Sequence, residues 1–97
     1  MIQSISQSEA ETIALQALAF IASDISLLGV FTTATGISLE DLHARAGERD
    51  VLTATLQWLM QNESALLTFC ANNAHPPERM QLVMHSLENS ERPSGIR

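Results

Sequence analysis

The side chains of this 97-residue chain with chemistry to offer are 3 histidines, 1 cysteine and 11 carboxylates. His43, Cys70, His75 and His85 are the set from which a metal site would be drawn. Structural zinc sites use paired short spacings, one pair of ligands on each side of the ion. Cys70 and His75 form no such pair, so no metal and no cofactor is expected. Cys70 follows Phe69 on an apolar stretch with no cationic neighbour to favour a thiolate, which reads as a buried, inert thiol. Acid–base catalysis needs carboxylates held in contrasting environments. Here Glu9, Glu11, Asp24, Glu40, Asp41, Asp50, Glu63 and Glu78 all fall at or near expected helix starts. There they complement the helix dipole and cap free amides, which accounts for them without a mechanism. With only 4 glycines, no phosphate-cradling loop and no Gly-x-Ser-x-Gly elbow, no catalytic constellation emerges, and the chain is expected not to be an enzyme.

One binding motif is worth weighing. Residues 31–45 can form helix, turn at Gly36 and helix, the outline of a helix-turn-helix that reads nucleic acid. The second helix, however, would present Glu40 and Asp41 at its front, with Arg45 and Arg49 as the only compensation. Overall the chain holds 5 basic against 11 acidic residues, a formal −6, and contains no lysine. Affinity for nucleic acid comes largely from basic side chains on phosphates, so this balance has the wrong sign. A nucleic-acid-associated regulator acting through residues 31–45 is therefore the alternative, not the leading expectation.

These residues are positioned by six short segments with helical periodicity. Ser8 and Glu11 have the spacing of a capping box and open a first helix that runs to about Ala22. Its polar residues Glu9, Thr12, Gln16 and Ser23 form a narrow stripe and the remainder is apolar, so it should be covered by several neighbours. A second helix starts near Asp24 or Ser26, turns Leu27, Leu28, Phe31 and Ala34 inward, and stops at Gly36. Ser38 caps a third, with Leu39, Leu42 and Ala46 inward and Asp41 four residues before Arg45 as a helix pair. Asp50 caps a fourth, from Val51 to about Gln61, with Leu52, Leu56, Leu59 and Met60 as its main face and Trp58 to one side. The fifth carries Leu66, Leu67, Phe69 and Cys70 and ends before His75-Pro76-Pro77. Pro77 fits the first turn of a sixth, whose Met80, Val83, Met84 and Leu87 make the clearest amphipathic stripe. The fold class is all-α: a single compact bundle of five to six short helices around a largely apolar first helix, over residues 8–88. Residues 1–7 and 89–97 are expected to be flexible termini.

The runs Ala14-Leu15-Gln16-Ala17-Leu18-Ala19-Phe20-Ile21-Ala22, Phe31-Thr32-Thr33-Ala34-Thr35-Gly36 and Leu39-Glu40-Asp41-Leu42-His43-Ala44-Arg45-Ala46 resemble a small bacterial helical family, as does the pattern Val51-Leu52 to Trp58-Leu59 with Phe69-Cys70. That family is catalogued as domain of unknown function 3572. The resemblance covers roughly residues 9–75 and rests on core and cap positions. It implies a short, helical, cytoplasmic protein and assigns no catalytic or binding residue.

The remaining signal is an apolar surplus. Hydrophobic residues are 45 % of the chain and charged ones only 16 %, against roughly 25 % charged in ordinary domains. Beyond the caps little charge remains, so faces between helices must pack together or against a partner. The expectation is a non-enzymatic protein–protein interaction or regulatory module, its partner another protein or a second copy in a homodimer. Trp58, Met80, Met84 and Leu87 are the candidates for that contact, although for each taken singly packing into the chain's own core is the favoured reading. No membrane partner is expected, since the longest uninterrupted apolar run, Ala17 to Ala22, is far short of the roughly 20 residues of a span. The N-terminal run lacks the features of a signal peptide, which points to the cytoplasm.

Overall fold

Cap chemistry sets most of the boundaries. The computed structural model describes residues 5–91, with side chains over 5–88. Over these residues the chain is all-α, in the order α1 (Gln7–Ala22), α2 (Ile25–Thr35), α3 (Leu39–Arg45), α4 (Arg49–Gln61), α5 (Glu63–Asn73) and α6 (Arg79–Glu91). Asp24 caps α2 by accepting from the amides of Ser26 and Leu27 at 2.9 and 3.1 Å. Ser38 caps α3 by accepting from the Asp41 amide at 3.1 Å. Gly36 closes α2 at φ 76°, a left-handed conformation that costs a Cβ-bearing residue steric strain.

Several boundaries differ from expectation. The first cap is Ser6, not Ser8: its hydroxyl accepts from the Glu9 amide at 3.0 Å, and α1 begins at Gln7. Ile5 is itself buried and its carbonyl accepts from the Ser86 hydroxyl at 3.2 Å, so the ordered domain starts ahead of residue 8. The Ser8 carbonyl instead accepts from the Thr12 hydroxyl at 3.0 Å. Asp50 does not cap α4 but lies in its first turn, with Glu48 at the cap position. Arg45 forgoes the expected pair with Asp41 and grips Glu48 at 2.8 Å and also Asp50. This cluster braces the short α3–α4 connection. The hydrogen bonds to Glu48, then to Asp50, hold the Arg45 guanidinium above its ordinary pKa. Pro77 precedes α6 rather than joining it, its carbonyl accepting from the Met80 amide at 3.1 Å. Helix α6 extends to Glu91, past the expected end. Of the expected flexible termini, residues 1–4 and 92–97 lie outside the described residues.

The core is formed by α1, α4 and α6 against one another, with α2 packed on α1 and α4 and with α5 packed on α4. From α1 come Ala10, Ile13, Ala14, Ala17, Leu18 and Ile21. The small residues let the neighbouring helices approach closely. Helix α4 contributes as much, with Val51, Leu52, Leu56, Trp58 and Leu59 covered. Thr55 is buried there too, satisfied by donating its hydroxyl to the Val51 carbonyl at 2.8 Å. Phe31 meets Trp58 edge-on, with ring centroids 5.6 Å apart at 87°, a favoured aromatic geometry. Arg79 on α6 pairs with Glu9 on α1, and Arg49 on α4 with Glu11 on α1 at 3.2 Å. Among the described residues no single helix is long and apolar enough to cross a membrane.

Candidate functional site

The stripe on α6 faces inward. Met80, Val83 and Leu87 are fully buried and Met84 is partly buried. Trp58 is 6 % exposed. Of the candidates for partner contact, Trp58, Met80 and Leu87 are thus covered by the chain's own helices. The periodicity is that of a core face: α6 packs against both α1 and α4.

The exposed apolar side chains lie elsewhere. Helix α2 buries only Phe31 completely, while Ile25 is 88 % and Val30 54 % exposed. Gly29, Thr33 and Ala34 share that outward surface, lining a shallow depression with Ile25 and Val30. No charged residue occurs from Ile25 to Thr35. Helix α2 thus sets two β-branched apolar side chains in water on a surface with no charge of its own. Ala34, expected inward, is exposed, and so is Leu39 at 57 %.

Helix α2 forms a ridge with a groove along each side. On the side of α1 and α3, Leu15, Leu18, Ala19, Ala22, Leu28, Leu39, Leu42, His43 and Ala46 line a volume of about 440 Å³. No carboxylate or guanidinium contributes to this lining. Leu15, 42 % exposed, opens into it, so α1 is not covered all round as its composition suggested. On the side of α4 and α5, Phe20, Leu27, Val30, Trp58 and Ala65 form the apolar part of a cleft of about 640 Å³. Asp24, Gln61, Asn62, Glu63, Ser64 and Thr68 are its polar part. Asp24 uses its Oδ1 for the α2 cap, and neither Asp24 nor Glu63 enters an ion pair with a described residue.

The described cations are Arg45, Arg49 and Arg79, and each is held by a carboxylate of this chain. Net negative charge is thereby left at Asp24, Glu40, Asp41, Glu63, Glu78 and Glu88. Residues 31–45 do form helix, Gly36 turn and helix, but Arg45 is engaged with Glu48 and Asp50.

The side chains first considered for chemistry do not converge. His75 bonds Gln16 at 2.9 Å and its ring lies 5.7 Å from that of Phe69. His43 borders the first groove. Cys70 is buried, and burial, with the nearby Glu78 charge adding to it, pushes its thiol pKa up. Among the described residues no group of three or more His, Cys, Asp or Glu is placed to hold a metal ion. Sequence reasoning missed Ile25 and Val30, although the 11-residue run without charge in α2 was the available signal.

Residues 7–90 match the model of a protein family described as "Protein of unknown function (DUF3572)". No curated protein and no solved structure matches the chain.

Proposed function

The chain belongs to the DUF3572 family of unknown function, and we propose that it is a non-enzymatic interaction module acting through the outward face of α2 and the grooves beside it. The observation that carries this reading is the 88 % exposure of Ile25 and 54 % exposure of Val30 on a helix without charge. A fully buried isoleucine or valine contributes roughly 1.5–3 kcal/mol relative to an exposed one. Within the folded chain these two forgo much of that contribution, and a protein partner would recover it. The nucleic-acid alternative is less well supported. Its second helix presents Glu40 and Asp41, while the nearby Arg45 is already neutralised.

The test is position-specific photo-cross-linking in cells that express the protein. A photoreactive residue at Val30 should yield discrete protein adducts, and one at Thr12, exposed on α1, should not. Equal adducts at both positions, or none at Val30, would overturn the proposal. Binding of mixed-sequence duplex at low salt, lost when residues 38–45 are altered, would establish the alternative instead.

A further inference from the structure

We infer that the occupant of the cleft between α2 and the α4–α5 corner is a basic amphipathic helix of another protein, which sets a lysine or arginine beside Asp24 and Glu63. The inference rests on the interaction reading above and adds the chemistry of the partner. The apolar part of the cleft, Phe20, Leu27, Val30 and Trp58, suits an aliphatic stripe. Asp24 and Glu63 border the same space and pair with no cation among the described residues. A complementary charge from the partner would supply it.

The form of the occupant follows from backbone chemistry. Among the described residues there is no strand, hence no sheet edge onto which an extended peptide could add main-chain hydrogen bonds. A helix satisfies its own backbone and presents only side chains to a groove. A second copy of this chain fits less well. It contains no lysine, and its described arginines are already engaged with carboxylates. Self-association through α2 would also bring two acidic rims together.

The chain contains 1 tryptophan, Trp58, and it borders the cleft, so its emission reports occupancy directly. The full-length protein is titrated with a tryptophan-free leucine/lysine amphipathic helix, and separately with a leucine/glutamate helix of the same length. Saturable change in Trp58 emission is expected with the first alone. Asp24→Asn removes charge while retaining a side chain that caps α2 equally well, and Glu63→Gln removes the second charge. Each should weaken binding by roughly twofold to fivefold, as expected for one exposed ion pair. Glu40→Gln with Asp41→Asn, outside the cleft, should leave affinity unchanged. The inference is overturned if the acidic helix binds equally. It is also overturned if Asp24→Asn/Glu63→Gln binds as tightly as the unaltered chain, or if the Glu40/Asp41 variant weakens binding as much. Should the lysine helix fail while cross-links at Val30 persist, the partner's chemistry is wrong and the interaction reading stands. Should both fail, the reading falls with it.

Discussion

Replacing Phe31 by alanine should cost far more than replacing Ile25, although both are large apolar residues of the same helix. Phe31 has no exposed surface and meets Trp58 edge-on at 5.6 Å. It is the only α2 side chain that is fully covered, Leu27 and Leu28 being half-buried. Truncation removes the ring's buried surface and leaves a cavity between α2 and α4, at a cost of about 3–5 kcal/mol. A domain of 97 residues has roughly 5–15 kcal/mol in all, at about 0.05–0.15 kcal/mol per residue. Phe31→Ala should therefore consume roughly a fifth or more of the total. Ile25 is 88 % exposed, so Ile25→Ala should stay within about 0.5 kcal/mol. Alanine's better helix propensity even acts in its favour. Urea unfolding followed by circular dichroism measures both, with equal slopes required for a direct comparison. A loss below about 1 kcal/mol for Phe31→Ala would show that α2 is not anchored as described. A loss above about 1.5 kcal/mol for Ile25→Ala would show that its side chain is part of the core.

Two helix ends give opposite expectations in the same assay. Ala74 ends α5 at φ 58°, so Ala74→Gly should stabilise the chain by roughly 0.5–1 kcal/mol. Gly36 lies at φ +76° with open space where a Cβ would sit, so Gly36→Ala should cost about 1–2 kcal/mol through backbone strain alone. The buried Cys70 should resist alkylation in the native state and react at the rate of global opening, readable by mass spectrometry across a urea series. Its raised thiol pKa also has a pH consequence. The unfolded thiol ionises first, so the native state should lose stability as pH rises above roughly 8.5, and Cys70→Ala should remove that part of the decline.

The helices were legible in the sequence because local chemistry punctuates them. Asp24, Ser38 and Gly36 do what their types and positions imply, and the periodicity of α6 correctly marks a face. Errors arose where two local solutions were nearly equal and tertiary contacts chose between them. Ser6 and Ser8 each precede a glutamate by three residues; the burial of Ile5, whose carbonyl binds Ser86, fixes the earlier start. Asp41 had the right spacing for Arg45, yet Glu48 and Asp50 fold back to claim it. The candidate surface was harder to read, because an amphipathic stripe does not reveal what covers it. Met80 and Leu87, whose stripe suited a core or a partner alike, pack into the core, whereas Ile25 and Val30 carry no periodic mark of exposure. The lack of charge along α2 signals apolar surroundings without saying whether they belong to this chain.

The central claim is that the cleft between α2 and the α4–α5 corner, bordered by Val30 of the exposed α2 surface, receives a basic partner helix. An amide chemical-shift map of the full-length protein, titrated with the leucine/lysine helix, tests it most directly. Shifts should cluster at Asp24, Leu27 and Val30, at Trp58, and from Glu63 to Thr68, the elements that line the cleft. Changes that centre on the Met80, Val83 and Leu87 stripe, or that spread evenly over the acidic residues, would contradict it.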